Sequence, residues 1–148
     1  MCLKKVWLAF VCLAILCPLA IFGEGPSAED LLHSQTRHSV QINGQTLNYT
    51  VTTGTMPIRD EKGEQDAYIF YIAYTKDGIS EPGERPLMFS FNGGPGSSSV
   101  WMHMAFLGPR KVRYDNEGFM LQPPYEVVDN EYSILDTTDL VFIDPVAT

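Results

Sequence analysis

Alternation of apolar and polar positions begins at Ser39. Ser39-Val40-Gln41-Ile42 alternates, Asn43-Gly44 has the chemistry of a type I′ hairpin turn, and Thr46-Leu47-Asn48-Tyr49-Thr50-Val51 alternates again. A turn is expected across Gly54–Gly63. The aromatic-rich run Ala67–Tyr74 then predicts a third strand, with Asp77-Gly78 and Pro82-Gly83 marking its exit. Together these predict an antiparallel start to a sheet.

Two later runs have a different pattern. Leu87-Met88-Phe89-Ser90-Phe91 and Leu140-Val141-Phe142-Ile143 are short and almost continuously apolar, as strands buried on both faces are. The first leads directly into Asn92-Gly93-Gly94-Pro95-Gly96. Ser97, Ser98 and Ser99 are placed to cap a helix through Val100–Leu107, which Gly108-Pro109 would stop. A hairpin-like stretch from Val112 to Leu121, turning at Asp115–Gly118, precedes the second run. Strand, glycine loop, helix, excursion, strand predicts an α/β fold with a right-handed crossover in a mixed sheet. The sheet is expected to end on an unpaired edge at Leu140–Ile143 that exposes apolar surface, so the 148-residue chain alone is expected to fold poorly.

The N-terminus has another character. Lys4 and Lys5 precede twelve uninterrupted apolar residues, Val6–Cys17, followed by Pro18 and the small residues Ala20 and Gly23. This is the order of a secretory signal peptide over residues 1–23, with export to the periplasm or medium. The continuation through Phe22 keeps an uncleaved anchor as an alternative, and Cys17 keeps a lipoprotein as another, although Leu16 stands where lipidation signals take a small residue. Residues 24–37 are mostly polar with a helical patch at Asp30–Leu32, and are expected to form an arm ahead of the domain at 38–148.

Composition narrows the function. The chain has 148 residues, 45% hydrophobic and 19% charged, which suits a globular domain and excludes a disordered or multispan chain. Net charge is −8; with the signal segment removed, 8 basic face 18 acidic residues, giving −10. No basic patch is visible, so nucleic acid is not an expected partner. All three cysteines, Cys2, Cys12 and Cys17, lie in the signal segment, which leaves the remainder without disulfide or thiol nucleophile. No metal-ligand constellation occurs, and neither metal nor organic cofactor is expected.

The glycine loop is the candidate chemistry. Adjacent glycines let backbone N–H groups approach a ligand, either a phosphate or an oxyanion. The sequence lacks both the Gly-Lys-Ser/Thr ending of a phosphate loop and the third glycine of a dinucleotide fingerprint. An oxyanion hole after an early α/β strand fits better; a tight strand-to-helix turn without ligand is the other alternative.

Ser90–Ser99 with Leu107-Gly108-Pro109, and Tyr132–Asp136 leading to Leu140–Val146, resemble the serine carboxypeptidase family. The resemblance covers roughly Tyr68 to Thr148, and its Asn-Gly-Gly-Pro-Gly-x-Ser-Ser core is specific. Ser97 stands where eukaryotic members carry a disulfide cysteine, so the chain looks most like the bacterial branch. The resemblance implies an α/β-hydrolase fold and release of C-terminal residues from peptides, favoured at acidic pH. It implies that Gly94, next to Gly93, donates its N–H to the oxyanion, and that Asn92 helps hold the substrate's terminal carboxylate. Three positions depart from the family pattern. Ser90 replaces a frequent tryptophan, Phe106 replaces a glutamate of the carboxylate network in some members, and Ala147 replaces the first glycine of a Gly-Thr-Gly run.

The family's nucleophile sits in a Gly-Glu-Ser-Tyr-Gly elbow, and no Gly-x-Ser-x-Gly occurs among these residues. An N-terminal fragment of a longer enzyme, inactive alone, is therefore expected. Ser97–Ser99 are read as capping and loop residues, His103 as a packing histidine, and Asp144 as a turn residue. His33 and His38 are read as part of the N-terminal arm, and a catalytic histidine must sit beside a positioned nucleophile. An esterase or acyltransferase on the same scaffold, or a binding domain without a triad, are the competing functions.

Overall fold

A computed structural model describes residues 33–146 and Thr148. The signal segment 1–23, the helical patch Asp30–Leu32 and the Ala147 departure lie outside the described residues. Seven strands form in chain order: β1 (His33–Ile42), β2 (Gln45–Arg59), β3 (Gln65–Lys76), β4 (Leu87–Ser90), β5 (Arg110–Val112), β6 (Val127–Asp129) and β7 (Asp139–Asp144). Five make a mixed sheet in the order β1-β2-β3-β7-β4, and β5 pairs with β6 in a small second sheet. Every neighbouring pair is antiparallel except β4 with β7.

The Asn43-Gly44 turn joins β1 to β2, with positive φ at both residues (51° and 74°) as a type I′ turn requires. That turn sets the register, Val40 opposite Leu47 and Ile42 opposite Gln45. β1 begins at His33, inside the stretch expected to be an arm. β2 is longer than its alternation suggests. It continues past Gly54, which pairs with both His33 and Tyr71, and the expected turn is confined to Asp60–Glu64. The Asp60 carboxylate accepts the N–H groups of Lys62 and Glu64, each at 2.9 Å, which closes the turn there.

One face of the sheet carries the core. Val40, Ile42, Leu47, Tyr49, Tyr74, Leu140 and Phe142 are buried on it, together with Leu135 from the short turn Ile134–Asp136. Period-two spacing puts these strand residues on the same side. Met102, Leu107 and Ile134 pack against them. The opposite face presents Met56, Ile69, Tyr71, Ala73, Phe89, Val141 and Ile143 around an apolar groove of about 190 Å³.

β4 and β7 depart from expectation in opposite directions. β7 is interior, between β3 and β4, so Leu140–Ile143 is not an edge. Among the described residues β4 is the edge, with β7 on one side only. Leu87, Met88 and Phe89 are consequently 39–59% exposed instead of buried on both faces. Arg85 ties the start of β4 to β7: its Nε donates to Asp139 Oδ1 at 2.6 Å, and its guanidinium also reaches the carbonyls of Leu135 and Asp136.

The expected flanking helix is short and wide. Met102–Leu107 closes with the Gly108 N–H on the His103 carbonyl at 3.0 Å, five residues back, so the segment is a π-type turn. The serine side chains do not cap it. The backbone N–H of Ser99 instead donates to the Asp144 carboxylate at 2.7 Å.

Candidate active site

The loop Asn92–Gly96 leaves the carboxyl end of β4 beside the carboxyl end of β7, because Ser90 pairs with Phe142 in parallel register. Ligand sites of open α/β sheets lie at such strand ends. Gly94 has φ 130° and Gly96 has φ 81°, conformations that side chains rarely adopt. A Cβ on Gly93 would meet nothing within 4 Å, and one on Gly94 only Ser97 Cβ at 3.8 Å. Backbone angle requires glycine at 94, while Gly93 borders open space. Asn92, Gly93 and Gly94 thus share one solvent-facing loop.

Asn92 Oδ1 accepts the Met102 N–H at 3.2 Å, which clamps this loop to the following turn, and Asp144 Oδ1 at the end of β7 accepts the N–H of Ser99, in the stretch between loop and turn. The Ser99 carbonyl in turn accepts the His103 N–H at 2.8 Å. Since Oδ1 of Asn92 faces an N–H, its amide NH₂ is directed away from Met102, and an NH₂ is a donor able to meet a carboxylate.

The far end of the turn is held equally closely. Asn130, 2% exposed, donates to the carbonyls of Phe106 and Gly108, both at 2.8 Å, and Ser133 Oγ donates to the Leu107 carbonyl at 2.7 Å. These are the orphan carbonyls of a helix terminus. A side chain on Gly108 would run into the His103 carbonyl, so close approach requires glycine there. Leu107-Gly108-Pro109 and the segment around Ser133 are therefore one structural unit. Phe106, at 64% exposure, turns outward.

His103 is buried under the loop. Its Nε2 lies 2.6 Å from Tyr74 Oη, and its ring stacks on Phe142 at 4.5 Å between centroids. Burial pulls the His103 pKa below its ordinary value, with Asp144 opposing. Burial pushes the Tyr74 hydroxyl well above the ordinary tyrosine range, and neighbouring Tyr49 adds to this. His33 and His38 lie on β1, and the His38 Nε2 is 2.9 Å from Thr36 Oγ1. Tyr74 and Asn130 escape sequence reasoning because their partners come from distant segments. Asp144 was visible as a strand-end acid, but its Ser99 partner was not.

Among the described residues no helix is long and apolar enough to cross a membrane. Pheromone-processing carboxypeptidase KEX1 from strains of Saccharomyces cerevisiae is 32% identical over 95 residues, 62% of this chain. The chain spans 12% of the length of those relatives. The crystal structure of KEX1(delta)p, a prohormone-processing carboxypeptidase from Saccharomyces cerevisiae, matches with a TM-score of 0.52 at 31% identity, over 67% of this chain and 20% of that one. The serine carboxypeptidase family matches residues 42–148, which include the clamped glycine loop and both of its parallel strands. The chain belongs to the serine carboxypeptidase family.

Proposed function

We propose that the protein is an exported serine-type carboxypeptidase that releases C-terminal residues from peptides through an acyl-enzyme, with the Asn92–Gly96 loop as part of its oxyanion hole. One observation carries this: Gly94 sits at a strand's carboxyl end, in a backbone conformation suited to glycine, in a loop clamped at Asn92 and Ser99. A preorganised N–H there stabilises the charge that develops on the scissile carbonyl oxygen. The Asn92 NH₂ is free in orientation to hold the peptide's terminal carboxylate, while its oxygen is committed to Met102. The reaction needs no metal or organic cofactor, and the expected partner is a peptide C-terminus, not nucleic acid.

The nucleophile elbow, acid and catalytic histidine belong to sequence outside these 148 residues in this proposal, which makes the isolated chain inactive. The basic and apolar N-terminus supports export and a soluble product after cleavage at about residue 23. Ser97, in place of a cysteine, supports a bacterial-type member. A second function, ester hydrolysis or acyl transfer, is favoured by the exposed and uncharged Phe106 at a carboxylate-network position.

In the full-length protein Gly94→Val should lower kcat at least about a hundredfold with the fold retained, since one oxyanion donor is worth roughly 10²–10³. Asn92→Ala should raise KM for free peptides and leave esters and amides, which lack the carboxylate, nearly unchanged. Equal losses on all substrates remove Asn92 from carboxylate binding. Near wild-type turnover in a folded Gly94→Val removes the loop from the oxyanion hole.

A further inference from the structure

Asp144 closes β7 and takes no part in the chemistry proposed above, yet it grips the stretch that carries that chemistry. Gly93, Gly94 and Gly96 give the chain between Asn92 and Ser99 unusual backbone freedom, and an oxyanion donor works only where such freedom has been removed. Asn92 Oδ1 binds Met102 within the same segment, which does not fix that segment on the sheet. Among the described residues, the Ser99–Asp144 contact is the one hydrogen bond that ties residues 92–101 to anything outside the 92–107 segment. We propose that Asp144 is a positioning residue for the oxyanion hole: it fixes Ser99, and through Ser99 the direction of the Gly94 N–H. The proposal rests on the oxyanion reading of the loop.

Parallel pairing of Ser90 with Phe142 brings the end of β7 level with the start of the loop. β7 lies between β3 and β4, so Asp144 is carried by an interior strand, a firmer support than a loop. Its Oδ1 accepts the Ser99 N–H at 2.7 Å, and the Ser99 carbonyl accepts the His103 N–H at 2.8 Å. The sheet thus holds one side of Ser99 and the turn holds the other. Ser99 is 3% exposed, so an N–H deprived of Asp144 has to move to find another acceptor. Four residues separate it from Gly94, and Pro95 among them has a fixed φ, so a shift at Ser99 is passed on to the loop.

This hold needs an acceptor at a set distance, not a charge. A protonated carboxyl still accepts through its carbonyl oxygen, so the contact is compatible with the acidic working range that the family resemblance implies.

Steady-state kinetics of the full-length protein on a free peptide and on an ester, counted per folded molecule, test the assignment. Asp144→Asn keeps an acceptor in place and should turn over like wild type. Asp144→Glu keeps the charge but moves the acceptor by a methylene. It should lower kcat about ten- to a hundredfold on both substrates, with KM changed less than about twofold because Met102 holds Asn92 separately. Amide exchange at Ser99 should quicken in the glutamate variant and not in the asparagine variant. Asp144→Ser, too short to reach the Ser99 N–H, takes the place of the glutamate variant if that one fails to fold. Wild-type kcat in the displaced-acceptor variant overturns the proposal, because a merely structural role lowers stability and leaves turnover per folded molecule intact. An asparagine variant as slow as the glutamate one also overturns it, since charge would then be the agent. Gly94→Val separates the two readings. If it lowers kcat and Asp144→Glu does not, the oxyanion hole stands and the role of Asp144 falls; if Gly94→Val keeps wild-type turnover, the oxyanion reading falls and this proposal with it.

Discussion

Neighbouring residues of β3 and β7 have opposite surroundings. Tyr74, Leu140 and Phe142 point to the face covered by Met102, Leu107, Ile134 and Leu135, and are buried. Ala73, Val141 and Ile143, one step along the same strands, line an open apolar groove. The residue types on the two faces are alike; the cover differs. Alternation tells which residues share a face, but not whether anything lies on it. The covered face also bears every clamp of the glycine loop, so stability and the candidate chemistry are concentrated on one side.

That contrast can be broken by substitution. Phe142→Ala should cost about 3–5 kcal/mol in urea unfolding, through lost burial and a cavity beneath His103. Val141→Ala, a methyl-scale loss on the open face, should cost less than half as much. Equal costs would mean that something covers the second face as tightly as the first. Asn130→Ala comes next. It strips donors from the Phe106 and Gly108 carbonyls, and should cost about 1–3 kcal/mol and speed amide exchange at Gly108. Unchanged exchange there would separate Asn130 from the turn it is drawn as holding. Smallest is Phe89→Ser on the exposed edge, expected within about 0.5 kcal/mol of wild type, with less self-association on dilution series. A loss of several kcal/mol would show that β4 is not an edge.

Local chemistry made much of this readable in advance. Asn43-Gly44 forms its turn, the Ala67–Tyr74 strand exists with two more residues at each end, and β4 and β7 run parallel with the glycine loop between them. What escaped depends on long-range pairing. Gly54 and Pro57 read as turn residues, yet β3 lies alongside them and keeps β2 extended to Arg59. The apolar run at β4 suggested two covered faces, and its place in the strand order leaves it exposed. Ser97–Ser99 looked like caps, but the cap acts in reverse: a backbone N–H of the serines meets an acid from β7. The motif Asn92-Gly93-Gly94 was visible, whereas its holding partners Met102 and Asp144 come from elsewhere in space.

The strand order also sets an order of folding. β1, β2 and β3 are joined by tight turns and can pair before the rest of the chain is available. Among the described residues β4 pairs only with β7, which is made about fifty residues later and must slot between two strands already present. Until then the β3 edge is open, β4 has no neighbour, and the glycine loop lacks its Asp144 clamp, 45 residues from Ser99. Closing a loop of that size is entropically costly before any contact rewards it. The nascent chain therefore passes through an interval in which its most apolar strand and its future oxyanion loop are both unattended, the state in which a chaperone or a neighbouring β-edge would find it.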